Sequence, residues 1–100
     1  MKIEVEGEKV LVSGFKELGA DNSIMFRDKV RAAFTGSQRN IDVDLSETSF
    51  VDSSGMGALI ALHKSACGRK GALRLLNPQP PVQQILELTR MHRLFEIVKT

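Results

Sequence analysis

A carboxylate, two hydroxyls and a glycine stand together near the middle of the chain. Asp52, Ser53, Ser54 and Gly55 lead into a segment, up to residue 70, whose apolar residues recur at helical spacing. The start of a helix has backbone N–H groups without partners and a partial positive charge. It can therefore hold a side-chain oxygen that caps the helix, or a phosphate group on a hydroxyl. The motif predicts a cap, a phosphorylation site, or both.

The two serines leave both alternatives open. Ser is among the preferred N-cap residues, so from position alone we expect Ser53 or Ser54 to cap the helix, which is worth about 1 kcal/mol. A phosphate here would add about two negative charges beside Asp52, and the N–H groups and the dipole favour such charges. One serine can cap the helix while the other is modified.

Gly55 and Gly57 both fall inside the predicted helix. A glycine within a helix costs about 1 kcal/mol relative to alanine, so each requires a reason. A residue without a side chain allows another backbone to approach closely. That backbone can belong to a neighbouring strand or to a bound partner, and the sequence favours neither.

The composition excludes several classes of protein. The 100 residues carry a formal net charge of +2 with scattered cations, and they include neither Trp nor Tyr, which argues against a nucleic-acid-binding protein. Cys67 is the single cysteine, so no internal disulfide and no zinc-binding set is predicted, and we expect no cofactor.

The ends and apolar runs of the chain indicate where the protein resides. The first residues, MKIEVEGEKV, alternate charged and apolar side chains, unlike a signal peptide. The longest apolar run is too short to span a bilayer. With one cysteine a reducing compartment fits best, so we expect a soluble cytoplasmic protein without membrane insertion.

The apolar patterns predict one small domain, residues 1–100, with the element order β-β-α-β-α-β-α-β. Strands alternating with helices indicate an α/β fold with a mixed sheet and helices packed against it. Asp52 to Gly55 would then lie at the carboxyl ends of the strands, where ligands and partners bind in such sheets. The predicted strands are IEV, KVLVSG, NIDVDL, GALRLL and RLFEIVK. The first predicted helix follows Asp21–Ser23 and has Phe26, Val30, Ala33 and Phe34 on one face. The second covers residues 54–70, and the third lies in NPQPPVQQILELTR.

The block from residue 40 to 98 resembles a STAS domain, specifically those of the bacterial anti-sigma factor antagonists. The motif F-x-D-S-S-G-x-G between strand and helix carries the resemblance, together with P-x-V-x-x-I-L-E-L-T and L-F-E-I further on. The first forty residues agree in pattern only, and VSGFKEL stands in place of the family's usual turn.

The resemblance implies a phosphorylation switch with Ser54 as the acceptor. An anti-sigma factor that is also a serine kinase would bind the unmodified protein and release its sigma factor. Phosphorylation would end that binding, and a serine phosphatase would restore it. The expected partner-binding residues are Asp52, Ser53, Ser54, Gly55, Met56, Gly57 and Ala58.

Two other functions remain open at this stage. The chain could be a STAS subunit of another assembly, such as a lipid-transport ABC complex or a stressosome-like complex. It could also be a small phosphohydrolase that uses Asp42 or Asp44, although the chain is short for such an enzyme. Asp44 is alternatively an acidic neighbour of Ser54, because Asp44 and Asp52 are both expected at one rim of the sheet. The sequence does not predict an oligomeric state.

The remaining reactive side chains have ordinary explanations. His63 lies about 13 Å along the helix from Ser54, beyond hydrogen-bond reach, so we expect a core or boundary histidine. We expect Cys67 to be a buried, inert thiol on the stripe with Met56 and Ile60, and His92 to lie on the surface. The cations Arg69, Lys70, Arg90 and Arg93 form solvated faces or, alternatively, a patch for an acidic partner.

Overall fold

The computed structural model describes residues 1–100 and contains the eight predicted elements in the predicted order. Two short strands and a 3-10 turn, which the sequence patterns did not predict, are added to them. The elements are β1 (Lys2–Glu6), β2 (Lys9–Ser13), β3 (Glu17–Leu18), α1 (Ser23–Ala33), β4 (Asn40–Asp44), β5 (Phe50–Val51), α2 (Ser53–Gly68), β6 (Leu73–Leu76), α3 (Pro80–Leu88), the 3-10 turn (Met91–Arg93) and β7 (Glu96–Val98).

The main sheet has five strands in the order β1-β2-β4-β6-β7. β1 pairs antiparallel with β2, while β2, β4, β6 and β7 are parallel. The three helices connect successive parallel strands, and each connection moves in the same direction across the sheet. Because such connections are right-handed, all three helices lie on one face of the sheet. The mixed α/β architecture expected from the sequence is confirmed.

A single apolar core fills the space between the sheet and the helices. Alternate residues of the strands line up across the sheet, since Val10 pairs with Ile41 and Ile41 with Leu73. Helix residues three or four positions apart cover the other side of the core. The core includes Val10, Val12, Ile41, Val43, Leu73 and Leu75 from the sheet, and Phe26, Val30, Leu59, Leu62, Val82 and Leu86 from the helices.

Asp42 in β4 lies between the buried Ile41 and Val43 and is itself buried. Its side chain lies on the sheet face without helices and is nevertheless only 1% exposed. Arg74, which pairs with Asp42 from the neighbouring strand β6, donates one hydrogen bond to each carboxylate oxygen, at 2.9 and 2.7 Å. The ammonium of Lys9 stands 3.4 Å away. The two long cationic side chains therefore cover the carboxylate on the open face.

The two short strands form a second, parallel sheet beside the main one. Glu17 of β3 pairs with Phe50 of β5, and Leu18 with Val51. The buried Thr48 donates a hydrogen bond from its hydroxyl to the Phe15 carbonyl at 2.7 Å. The stretch SETSFVD, between β4 and α2, is thus tied to the segment after β2. This pairing brings residues 17–22 next to the start of α2.

The first helix begins where the sequence predicted, but without a side-chain cap. Asn22 occupies the N-cap position of α1 and makes no capping bond there. Its amide instead accepts a hydrogen bond from the Gly19 N–H and donates one to the Glu17 carbonyl. Asn22 therefore orders the loop in front of the helix.

None of the three helices has the length and apolarity that crossing a membrane requires.

Candidate functional site

Helix α2 is capped by Asp52, so the expectation that Ser53 or Ser54 caps it is wrong. Asp52 has extended backbone angles, and its Oδ1 accepts a hydrogen bond from the Gly55 N–H at 3.0 Å. This is the usual bond from an N-cap side chain to the third residue of a helix. Asp is as good a cap as Ser, so residue type gave no ground for preferring the two serines.

The second carboxylate oxygen of Asp52 joins the helix start to the loop after β3. Its Oδ2 accepts a hydrogen bond from the Ala20 N–H at 3.1 Å. The Gly55 N–H lowers the pKa of Asp52, burial opposes that shift, and the Ala20 N–H adds to the lowering. Hydrogen bonds to a carboxylate favour its charged form. Asp52 therefore stays ionised and holds two segments together.

The hydroxyl groups of Ser53 and Ser54 are left free by this arrangement. Both residues are exposed in the first turn of α2, and neither side chain makes a hydrogen bond within the protein. Ser54 stands two residues after the cap, where backbone N–H groups still lack partners. The site thus offers accessible hydroxyls at the positive end of a helix.

The two glycines of the motif have different structural roles. A Cβ atom on Gly55 would overlap the carbonyl oxygen and carbon of Leu18, so Gly55 permits close packing of α2 on β3. A Cβ atom on Gly57 would meet nothing within 4 Å. Packing within the protein therefore explains the glycine at position 55 but not the one at position 57. Close approach of a partner remains a possible reason for Gly57 only.

The surface that α2 offers to a partner is narrower than the sequence suggested. Met56 is 6% exposed and belongs to the core, as does Ala58. Met56 was expected among the partner-binding residues, but a buried side chain offers little apolar contact to a partner. Ser53, Ser54 and Gly57 are the exposed residues of this turn.

A shallow cavity of about 180 Å³ adjoins the helix start, and sequence reasoning did not find it. Phe50, 51% exposed, forms one side. Segment 17–22 is remote from the motif in sequence and reaches it through the β3–β5 pairing and the Ala20–Asp52 hydrogen bond, so no local pattern could have revealed it. The residues lining the cavity are Glu17, Gly19, Ala20, Asp21, Asn22 and Phe50.

The two aspartates of β4 differ in what they can do. Asp44, at the carboxyl end of the strand, is half-buried and accepts a hydrogen bond from the Ser46 N–H at 3.0 Å. Its role as an acidic neighbour of Ser54 stays a prediction. Asp42 is enclosed by Arg74 and Lys9. A carboxylate held in this way cannot approach a phosphate ester, which weighs against the phosphohydrolase hypothesis.

His63 and Cys67 lie away from the helix start. His63 is half-buried with its ring edge-on to Phe95 at 5.5 Å, as expected of a boundary histidine. Cys67 is exposed, so the expectation of a buried thiol is wrong. Residues four apart on a helix differ in direction by about 40° around the helix axis. Going from Leu59 to His63 to Cys67, the side chains therefore point progressively away from the core. His92, expected on the surface, is half-buried near the Leu86 carbonyl.

Comparison with known proteins relates this fold and motif to one family. The family model for the STAS domain matches residues 2–100 of this chain. A STAS-domain containing protein of Pseudomonas aeruginosa is 34% identical over 88% of this chain and 84% of its own length. The anti-sigma F factor antagonist of Lysinibacillus sphaericus is 31% identical over 85% of this chain and 74% of its own.

Solved structures agree with the sequence comparison. The anti-sigma factor antagonist SpoIIAA in its unphosphorylated form is 27% identical, with a TM-score of 0.86 over 99% of this chain and 86% of that one. The Bacillus SpoIIAA in its phosphorylated form is 26% identical, with a TM-score of 0.77 over 99% of this chain and 89% of that one.

Proposed function

The chain belongs to the STAS domain family, and on that premise we propose that it is an anti-sigma factor antagonist controlled by phosphorylation of Ser54. In this proposal the protein is a non-enzymatic binding module of the cytoplasm. It binds an anti-sigma factor with serine kinase activity while Ser54 is unmodified. The kinase phosphorylates Ser54, the complex dissociates, and a serine phosphatase returns the protein to its binding form.

The free hydroxyl of Ser54 is the observation that carries the proposal. Asp52 caps the helix, so Ser54 has no structural bond to lose when it is modified. Its exposure gives a kinase access, and its place in the first turn lets the N–H groups and the dipole tolerate a phosphate. Two similar proteins are named as anti-sigma factor antagonists, and one of them, SpoIIAA, has a phosphorylated form, which supports control by phosphorylation.

The switch would act through charge at the contact surface. A phosphate adds about two negative charges beside the ionised Asp52, and the cavity next to it carries Glu17 and Asp21. A partner that closes over this turn would have to desolvate those charges. A buried charge without a matched partner costs several kcal/mol, so affinity should fall about a hundredfold or more.

The test is titration calorimetry of the wild type, Ser54→Ala and Ser54→Asp against the purified partner kinase. Ser54→Ala should bind as the wild type does and should not be switched off by ATP. Ser54→Asp should bind weakly even without ATP. Mass spectrometry after incubation with kinase and ATP should find one phosphate, on Ser54 and absent from Ser53.

The same experiment separates the proposal from its rival within the family. Equal affinities for Ser54→Ala and Ser54→Asp would mean that this turn is not a switch. They would favour a constitutive subunit of another assembly, such as a lipid-transport or stressosome-like complex. A phosphate on Ser53, or none, would refute the acceptor assignment.

A further inference from the structure

The corner where α3 ends has an apolar surface that no other part of this chain covers. Leu88 is 72% exposed, and Ile85 and Leu94 are exposed as well. Ile85 and Leu88 are three residues apart and therefore share one side of the helix. Leu94 directly follows the 3-10 turn, which packs back against α3. A cluster of exposed apolar side chains on a small domain often marks a site of interaction.

Two cations stand beside these apolar side chains without acidic partners. Arg90 and Arg93 take part in none of the ion pairs of the structure. Arg90 has a φ of 61°, in the left-handed region where glycine is free of strain and a residue with a Cβ atom is not. A cation after a helix interacts favourably with the helix dipole, but this does not account for the exposed Leu88 next to it.

The edge of the sheet at which α3 ends has, like the corner itself, an excess of positive charge. The helices end at the rim formed by the amino ends of the parallel strands, and they begin at the opposite rim, where Ser54 lies. The first rim is predominantly basic and the second is predominantly acidic. The first carries the cations Lys9, Arg31, Arg39, Arg69, Lys70, Arg90 and Arg93 against the acids Glu6, Glu8, Glu87 and Glu96. The second carries the acids Glu17, Asp21, Asp44, Glu47 and Asp52 against the cations Lys2, Lys16 and Lys99.

We propose that Ile85, Leu88, Arg90, Arg93 and Leu94, the α3 corner, form a second docking surface for an acidic, leucine-containing segment of a protein partner. The apolar side chains supply the contact area, and the two arginines select negative charge. The surface lies on the rim opposite Ser54, so it can be occupied in both phosphorylation states. Through it the protein could be held in an assembly while Ser54 is switched.

Charge favours such a segment over a second copy of this chain or a lipid surface. Two copies meeting at this corner would bring four arginines, Arg90 and Arg93 of each copy, into one interface. An anionic bilayer is a continuous surface and would also bring its charge against Glu87, in the last turn of α3. A narrow segment can contact Leu88 and the two arginines while Glu87, which accepts a hydrogen bond from Gln83, stays in water. Helix α3 has nine residues, which is short for a helix that lies in a membrane surface.

The probe is a synthetic amphipathic peptide with leucines on one face and glutamates on the other, titrated into the ¹⁵N-labelled full chain. A matched peptide with lysine in place of glutamate is the control ligand. The glutamate peptide should shift the backbone amide signals of residues 85–95, and the lysine peptide should leave them unchanged. Ser54→Asp should bind the glutamate peptide as the wild type does, which separates this surface from the switch.

The variants distinguish docking from folding. Arg90→Gly removes the cation and relieves the backbone strain, so it should fold at least as well while the dissociation constant rises tenfold or more. Leu88→Gln should weaken binding similarly. Lys70→Gly is the matched control, because Lys70 is also a cation with positive φ, 62°, but follows α2. It should change the dissociation constant less than twofold.

Three outcomes would overturn the proposal. The first is wild-type affinity in both Arg90→Gly and Leu88→Gln. The second is equal binding of the lysine peptide. The third is sedimentation of the protein with phosphatidylglycerol vesicles that depends on Arg90, without binding of the glutamate peptide, since the occupant would then be a lipid surface.

Discussion

Gly55, in the first turn of α2, lies directly against the backbone of Leu18 in β3. A Cβ atom at Gly55 would overlap the Leu18 carbonyl, so Gly55→Ala must push the helix away from the short strand. Overpacking of this kind costs about 1–3 kcal/mol. We expect a clear loss of thermal stability, measured by circular dichroism melting. For a domain of this size, 1 kcal/mol corresponds to about 4–8 °C.

Gly57→Ala is the matched comparison, two residues further along the same helix. A Cβ atom at Gly57 meets open space, so the better helix propensity of alanine should raise stability by up to about 1 kcal/mol. The two substitutions should therefore have opposite signs. A destabilised Gly57→Ala, or a neutral Gly55→Ala, would contradict the packing described for this turn. A stable Gly57→Ala that binds the partner kinase poorly would assign Gly57 to the contact surface.

Asp52 should make the stability of the protein depend on pH in acid. Its pKa is lowered in the folded state, chiefly by the Gly55 N–H, from a usual value of 3.8. The stabilisation is therefore complete above about pH 3.8 and is lost as the pH falls through the folded-state pKa. Asp52→Ala should melt lower than the wild type at pH 7, and the difference should shrink below pH 4.

Comparing variants at each pH cancels the titration of the other carboxylates. Asp52→Asn serves as the control, because Asn also caps helices but carries no charge. The difference between Asp52→Asn and Asp52→Ala should not change between pH 7 and pH 3. If the wild type and Asp52→Ala melted together at pH 7, Asp52 would not be the cap.

Local patterns were sufficient to predict the architecture. Periodicity along single segments determined the number, type and order of the main elements, because each helix and strand buries one face against the same core. The second helix, predicted over 54–70 from the local residue pattern, spans Ser53–Gly68. Strands β3 and β5 were missed because two-residue strands have no alternation to detect.

The misassigned details depend on contacts between distant segments. The burial of Asp42 requires Arg74, which is 32 residues away on the neighbouring strand. Asp52 was not preferred over the serines as the cap, and its second bond goes to Ala20, on a loop also 32 residues away. Sequence patterns do not reveal which remote residues will meet, so roles set by such meetings were not predictable.

The ion pair on the open sheet face gives a third prediction. Arg74→Met leaves the carboxylate of Asp42 buried with Lys9 alone at 3.4 Å. Removing one partner of a buried pair costs about 3–5 kcal/mol, and we expect the lower end because Lys9 remains. The hydrogen bonds and charge of Asp42 also raise the pKa of Arg74, as expected of a tight pair.

A double-mutant cycle measures the coupling directly. Asp42→Asn, Arg74→Met and their combination should be compared by urea denaturation. The loss of unfolding free energy in the double variant should be smaller than the sum of the losses in the two single variants. Each single variant leaves one charge of the pair without its partner, and the double variant removes both charges. Additive losses would mean that the two side chains do not stabilise each other.

The placement of Ser54 gives the last prediction, and it concerns stability in the absence of any partner. The Ser54 hydroxyl makes no hydrogen bond within the protein, so Ser54→Ala should change the free energy of unfolding by less than about 0.5 kcal/mol. In Ser54→Asp the added carboxylate meets unpaired N–H groups and the positive end of α2, worth about 0.3–1 kcal/mol. Repulsion from the ionised Asp52 opposes this gain, so a melting temperature close to that of the wild type is expected. Both effects are electrostatic, and added salt should reduce them together. A fall of more than about 8 °C in Ser54→Asp would show that Ser54 is packed or bonded, and that phosphorylation would damage the fold instead of changing its surface.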